Sequence, residues 1–208
     1  MAEIKSIELV TDAEKKLDSY REFLEGLAKR EKTGIITNKG KEHASILMAT
    51  LLANTDKSLK MYCTGLLPDI LDELNGAYWK VFQEFFKNRE KLKSVKVEIL
   101  VQDDHRAKVE MGEPFKVLKM AQEIDPNYIT IKLIKENGKK KINDYLGFEE
   151  DINVNFSVFD SKAFRLEYDT KEYKAIGSFD DENRCKILSD IFDTVFNDST
   201  YNFGTIKL

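Results

Sequence analysis

The sequence predicts an α/β fold with a mixed sheet and helices on both faces. Amphipathic helical segments alternate with short apolar strands up to about residue 134. Three strands then follow in quick succession between 153 and 178, and a last amphipathic helix spans 181–197. Alternating helices and strands are typical of parallel pairs covered on both sides, whereas consecutive strands are typical of antiparallel additions.

The first half of the chain predicts three helices and one strand. Apolar residues that recur every three or four positions indicate helices at 11–30, 41–54 and 69–91, the third with the widest apolar stripe. The run SLKMYCTG, at 58–65, is short, apolar and ended by glycine, which is typical of a strand.

The second half predicts further alternation. In 94–104, apolar residues alternate with Lys96 and Glu98, which predicts a strand with one buried face. A helix at 114–123 and a strand at 127–134 follow. The segment 135–150 is polar, contains glycine and is basic in its first half, so we expect a loop or an irregular excursion there.

Composition indicates a folded protein, since 42% of residues are hydrophobic and 34% are charged. We expect a single domain over 1–208, with a helical extension at about 11–38 and an α/β body at about 40–200. No apolar run approaches the roughly 20 residues of a membrane span, and the start MAEIKSIELV lacks a signal pattern. We therefore expect a cytoplasmic protein with no membrane contact, in which Cys63 and Cys185 are reduced, buried thiols.

The net charge limits the partners. A formal charge of −4 at pH 7 argues against broad electrostatic capture of nucleic acid or anionic lipid. A nucleic-acid role therefore requires lysines and arginines that cluster locally.

One stretch resembles a known family. The segment 156–196 contains Gly177-Ser178-Phe179-Asp180 before a predicted helix. It resembles the end of phospholipase D-like domains, in which a strand bearing HxKxxxxD precedes a G-S-x-N element. The family's spacing places Ala163 at the histidine position and Arg165 at the lysine position. The aspartate position falls on Thr170, with Asp169 one residue early.

The resemblance covers about 40–200 and implies a phospholipase D-like half-domain with a degenerate active site. In active members, the histidine attacks phosphorus and forms a covalent intermediate. Ala163 cannot do this, so we expect the usual phosphodiesterase reaction to be lost and no cofactor to be needed. Similar degenerate domains belong to bacterial proteins, some encoded near phage-defence or mobile-element genes. Members with a single motif tend to pair their halves, so the resemblance also implies a homodimer.

Three groups of residues are candidate sites. Arg165, Gly177 and Ser178 could retain an anion-binding site, because arginine contacts phosphate in a bidentate manner. The alternative is a surface ion pair of Arg165 with Glu167 or Asp169, which would contribute little.

The second group, Asp103, Asp104 and His105, follows a predicted strand, where α/β folds place their sites. It could ligate a metal or supply acid–base chemistry, although adjacent carboxylates point to opposite sides of a strand and no further Cys/His cluster supports a metal site. A solvated loop is the alternative.

The third group is Lys139, Lys140 and Lys141, which could contact a phosphate backbone. Charge runs in glycine-containing loops are usually only solvated, and 149–151 offsets them with acidic residues.

Three functions remain open. The first is a catalytically inactive binding or scaffolding protein with a protein partner, as an accessory component of a bacterial system. The second is a nucleic-acid-binding protein or a nuclease with a non-standard site. The third is a sensor that holds a nucleotide or phosphate near Arg165 and Ser178.

Overall fold

The computed structural model describes most of the chain. The described residues are 12–30, 34–64, 76–102, 113–124, 128–149 and 152–206.

The described residues form one mixed sheet of eight strands. In chain order the strands are β1 (Ile36–Asn38), β2 (Ser58–Cys63), β3 (Lys96–Gln102), β4 (Ile129–Ile134), β5 (Asn155–Phe159), β6 (Ala163–Asp169), β7 (Lys174–Ser178) and β8 (Asn202–Thr205). Their order across the sheet is β1-β7-β6-β5-β2-β3-β4-β8. Strands β2, β3 and β4 are parallel, and the remaining pairings are antiparallel.

Helices cover the two faces of this sheet. They are α1 (Asp12–Arg30), α2 (Lys41–Ala53), α3 (Ala77–Lys87), α4 (Arg89–Leu92), α5 (Glu113–Ile124), α6 (Glu136–Leu146) and α7 (Glu182–Asn197). Side chains from α1 to α5 pack in one apolar cluster, on what we name the first face. Side chains from α6 and α7 pack in a second cluster, on the opposite second face. The predicted α/β class, with a mixed sheet and helices on both faces, is therefore confirmed.

The predicted helices at 11–30, 41–54, 114–123 and 181–197 are present with boundaries that shift by one or two residues. The last one begins where its sequence indicated, because the side chain of Asp181 accepts a hydrogen bond from the backbone N–H of Arg184. The expected long third helix is shorter among the described residues. It ends at Lys87, and Asn88 caps the separate turn α4.

The prediction of an irregular segment at 135–150 is wrong, because α6 occupies most of it. Only a few apolar side chains hold this helix, with Ile142 fully buried and Leu146 packed against the second cluster. Gly138 lets the helix approach its neighbours closely. A Cβ there would lie 2.5 Å from the Tyr201 carbonyl oxygen and 2.7 Å from Cγ1 of Ile134. The glycine that suggested a loop therefore permits close helix packing.

The expectation that β3 buries one face is also wrong. Its residues from Val97 to Gln102 are all buried, because α-helices cover both faces of this central strand. Even Glu98 is buried, and its carboxylate pairs with Lys96. The sequence patterns did not predict the two short edge strands, β1 and β8.

The buried thiols are confirmed, since Cys63 and Cys185 are both free and buried. Within the described ranges, no helix is long and apolar enough to cross a membrane.

Candidate functional site

The carboxyl ends of the parallel strands carry two polar groups, one on each face of the sheet. Open α/β sheets place ligands at this edge, because the loops that follow the strands gather there. On the first face lies the buried charged cluster, which we define as Asn155, Arg165 and Glu167. The lysine surface is formed by α6, which covers the second face, and by the segment around the edge strand β8. We define its residues as Lys135, Lys139, Lys140, Lys141, Tyr145 and Phe203.

The buried charged cluster is held by a chain of hydrogen bonds. Nη2 of Arg165 donates to Oε1 of Glu167 at 2.8 Å. The other carboxylate oxygen, Oε2, accepts from Nδ2 of Asn155 at 2.7 Å. Asn155 Oδ1 in turn accepts from the backbone N–H of Thr64, at the end of β2, at 2.7 Å. This chain ties β6 to β5 and to the edge where β2 ends.

The ion pair of this cluster is buried, and so are the hydroxyl groups of two tyrosines near it. Arg165 is only 4% exposed and Glu167 only 3%. Burial raises the pKa of Tyr20 to about 12, and it also raises the pKa of Tyr78, while the positive charge of Arg165 partly opposes both shifts. Both tyrosines are therefore neutral near pH 7. Among the described residues, neither Nε of Arg165 nor the hydroxyl of Tyr20 has a hydrogen-bond partner.

The predicted anion-binding group is only partly assembled. Gly177 lies beside Arg165 on β7, and its missing side chain matters because a Cβ would lie 2.9 Å from the Phe164 carbonyl oxygen. Ser178, in contrast, pairs with Phe164, whose side chain packs on the second face. Since neighbouring strand positions in register point to the same side, Ser178 points away from Arg165.

The alternative of a surface ion pair is wrong in its location. Arg165 does pair with Glu167, but the pair is enclosed between the sheet and the helices of the first face. Asp169 has a different role, because its carboxylate accepts from the backbone N–H groups of Lys171 and Glu172 in the following turn. These bonds, with Lys174, lower the pKa of Asp169.

The second candidate group, Asp103, Asp104 and His105, lies outside the described residues. Within the described ranges, no cluster of histidine, cysteine, aspartate or glutamate could hold a metal ion.

The third candidate group lies on α6, not in a loop. Lys139 pairs with Glu136, with Nζ 2.7 Å from Oε1, and its side chain is 16% exposed. The Lys141 ammonium lies 4.6 Å from the centroid of the Tyr145 ring. At the start of the helix, Nζ of Lys135 lies 5.3 Å from the Phe203 ring. The lysine surface thus places each of two aromatic rings beside a cation.

A polar cleft of about 370 Å³ opens beside this surface. It lies where β2 and β3 end against the first turns of α6. Its floor contains a hydrogen bond from Nε2 of Gln102 to the hydroxyl of Tyr62, 3.1 Å long. Lys139 and Lys140 line it from α6, together with Asn143. Its lining offers two cations and several amides, which suit an anionic or hydrogen-bonding ligand, and one carboxylate, that of Glu136, which pairs with Lys139.

Sequence reasoning missed Tyr145 and Phe203. Phe203 lies about sixty positions after the lysine run and joins it because β8 pairs with β4 at the start of α6. Tyr145 lies on α6 itself, one turn after Lys141. The pattern K-K-K-x-x-x-Y, once placed on a helix, could have indicated Tyr145, since positions four apart are neighbours.

No protein-family model and no curated protein matches the chain. Among solved structures, the chain is similar to TrmBL2, an archaeal chromatin protein whose structure shows a novel mode of DNA binding. The TM-score is 0.52 at 11% identity, and the match covers 94% of this chain. The chain corresponds to 65% of the TrmBL2 chain. At this identity the likeness shows a shared fold, and the phospholipase D-like half-domain stays a prediction.

Proposed function

We propose that this chain is a nucleic-acid-binding domain that contacts phosphates through its lysine surface. The observation that carries the proposal is the grouping of Lys135, Lys139, Lys140 and Lys141 beside a polar cleft, at the carboxyl ends of the parallel strands. The fold shared with a DNA-binding chromatin protein supports it.

Local charge is the relevant quantity for this proposal. The chain as a whole carries a net charge of −4, so phosphate contact is confined to a place where cations outnumber anions. Residues 135–146 contain four lysines, and the acidic residues among them are Glu136 and Asp144. The segment therefore has a net charge of +2. Binding through so few cations is weak and decreases as salt rises, though less steeply than binding through many phosphate contacts.

The proposed domain binds nucleic acid without cleaving it by the histidine mechanism of phospholipase D-like enzymes. Ala163 has no nucleophile, and it is buried in the apolar cluster of the first face. Arg165, which stands at the family's lysine position, is neutralised by Glu167. We therefore propose that the region resembling phospholipase D-like domains binds nucleic acid and does not cleave it by that mechanism.

Fluorescence anisotropy with labelled DNA and RNA, single-stranded and duplex, tests the proposal at low and moderate salt. We expect binding at low salt that weakens as salt rises. The double substitution Lys140→Glu/Lys141→Glu should abolish it, since it reverses two of the cations. The matched control is Lys80→Glu/Lys87→Glu, which makes the same charge change at exposed positions of α3 on the first face.

Two results would count against the proposal. One is the absence of any binding at low salt, where phosphate contacts are strongest. The other is an equal loss of affinity in the α3 control, which would mean that only total charge matters.

A homodimeric scaffolding role is the second candidate. An open groove between α3 and α5 favours it, because it contains Met120, a residue that is 54% exposed, beside Ile124. The rest of the lining is Phe86 and the charged residues Lys87, Arg89 and Glu123. Light scattering coupled to size-exclusion chromatography distinguishes a dimer from a monomer. A protein that stays monomeric at the highest soluble concentration would remove this candidate.

A further inference from the structure

We infer that the lysine surface prefers single-stranded over duplex nucleic acid and that Tyr145 and Phe203 are its base-stacking platforms. This inference rests on the proposed nucleic-acid function and adds the class of nucleic acid that the surface takes.

The aromatic rings of Tyr145 and Phe203 are unusually exposed for this protein. Of the described aromatic side chains, those more than half exposed are Phe23 at 55%, Tyr145 at 51% and Phe203 at 59%. Phe23 lies on α1, on the first face, whereas the other two belong to the lysine surface. Most aromatic side chains of this protein are in the apolar clusters. Because the rings of Tyr145 and Phe203 are exposed, the protein does not gain the stabilisation that burial of their apolar surface would give. A ligand that covers the rings would gain it on binding.

Each of these two rings has a lysine ammonium group close to it. Lys141 lies 4.6 Å from the Tyr145 ring centroid and Lys135 lies 5.3 Å from that of Phe203. Each ammonium lies over one face of its ring, so a base stacks on the other face and its phosphate meets the ammonium at the edge of the ring. The Lys135 ammonium also donates to the Ser199 carbonyl at 2.8 Å. Aromatic rings combined with backbone-tracking cations are the elements that single-strand-binding proteins use.

The two ring–cation pairs are arranged along α6. Asn137, Lys141 and Tyr145 are spaced four residues apart, so they lie along one side of α6. Nδ2 of Asn137 donates to the Thr200 carbonyl at 3.1 Å, which places this side next to the turn before β8. From Lys135 to Tyr145 the helix rises about 15 Å. The two ring–cation pairs therefore lie near opposite ends of α6.

A duplex cannot use this arrangement, because its base faces are covered by their neighbours in the stack. The stacking contribution is open only to unpaired bases, every one of which has a face to offer. A duplex would be held by phosphate contacts alone, and the small net positive charge of α6 makes those weak. The preference for a single strand thus comes from the rings and not from the lysines.

The test compares oligonucleotides of about 12 nucleotides, a length within the range covered by one single-strand-binding module. Anisotropy titrations use single-stranded DNA, single-stranded RNA and the matched DNA duplex. We expect tighter binding of the single strands. Tyr145→Ala and Phe203→Ala should each weaken single-strand binding by about fivefold to a hundredfold, as the loss of one stacked base does. Duplex binding should be unchanged.

Two controls separate stacking from other effects. Tyr145→Phe keeps the ring and should keep the affinity, whereas Phe23→Ala removes an exposed ring from the first face and should change nothing. Because the substituted side chains are exposed, circular dichroism and thermal unfolding should report an intact fold for all of them.

The possible failures are distinguishable. If duplex binds as tightly as single strands, and binding depends on the lysines but not on Tyr145 or Phe203, this inference is overturned and the proposed function stands. If no nucleic acid binds at low salt, the proposed function itself is overturned.

Discussion

The two faces of the sheet use the same chemical partners with opposite results. On the first face, a cation and a tyrosine are enclosed, since Arg165 is 4% exposed and Tyr78 is 2% exposed. The charge of Arg165 partly opposes the rise that burial causes in the pKa of Tyr78. On the second face, Lys141 lies over Tyr145, which is half exposed. Burial, and not residue type, therefore decides whether a charged side chain belongs to the interior of the fold or is available to a ligand.

The energetic difference follows from solvent. An enclosed arginine depends on its carboxylate partner, because a buried charge left alone is costly. An exposed lysine keeps its hydration and contributes little to folding, so it can exchange water and counterions for a phosphate. Four predictions test this contrast, from the largest expected effect to the smallest.

The largest effect is expected for Glu167→Gln, which leaves the Arg165 guanidinium buried without a counter-charge. We expect the free energy of unfolding to fall by about 3–5 kcal/mol, measured by urea denaturation. The double substitution Arg165→Met/Glu167→Leu removes both charges at similar volume and should come within about 1 kcal/mol of the parent. A loss below about 1 kcal/mol for the single change would contradict an enclosed pair.

A smaller loss is expected for Gly138→Ala, because its Cβ would lie 2.5 Å from the Tyr201 carbonyl oxygen. Displacing α6 should cost about 1–3 kcal/mol of stability and should also weaken nucleic-acid binding. Gly26→Ala is the matched control. Gly26 lies within α1, and a Cβ there meets nothing within 4 Å, so this change should stabilise by about 0.5–1 kcal/mol. Equal effects at the two sites would exclude close packing of α6.

The third prediction concerns alkaline pH. Burial, reinforced by the nearby carboxylates of Asp181, Glu182 and Asp180, raises the pKa of Cys185 from 9.0 to about 12. A thiol whose pKa is higher in the folded state than in the unfolded state stabilises the folded protein. This contribution is complete when the pH lies below the unfolded-state pKa. This contribution is lost as the pH rises from about 9 through about 12.

Urea denaturation at a series of pH values measures this loss. Cys185→Ala should show a shallower decline over the same interval than the parent protein does. An identical decline in both would assign the effect to other groups, of which Tyr20 is the first to test.

The smallest effect on folding is expected for Glu136→Gln. Its carboxylate pairs with Lys139 but is 85% exposed, so stability should change by less than about 0.5 kcal/mol. Removing this negative charge from the lysine surface should nevertheless strengthen nucleic-acid binding about twofold to threefold at low salt. Weaker binding would mean that the carboxylate orients Lys139 for contact.

Local patterns were sufficient for most elements, because helices such as α1 and α7 have regular apolar spacing and Asp181 caps α7. They failed at α6, whose polar sequence depends on Gly138 and Ile142 packing against residues distant in the chain. Alternation along β6 places Arg165 and Glu167 on one face of the sheet. It could not predict their burial, because that depends on helices that cover them from elsewhere in the chain.

The lysine surface shows the same limit. Its cations all lie within 135–141, but Phe203 joins them only through β8, a four-residue edge strand without a distinctive pattern. Contacts that depend on chain segments far apart are the ones that periodicity cannot report.

The strand order also constrains how the chain acquires its structure. Strand β2 has one neighbour, β3, close in sequence, whereas its other neighbour is β5, about a hundred residues later. The Asp160 carboxylate joins these distant parts, accepting from the backbone N–H groups of Asp56, Lys57 and Ser58. During synthesis, the parallel strands therefore emerge before the strands that cover the open edge of β2. Until 155–178 has left the ribosome, that edge is exposed to pairing with other chains, and this interval is when the protein is most prone to aggregate.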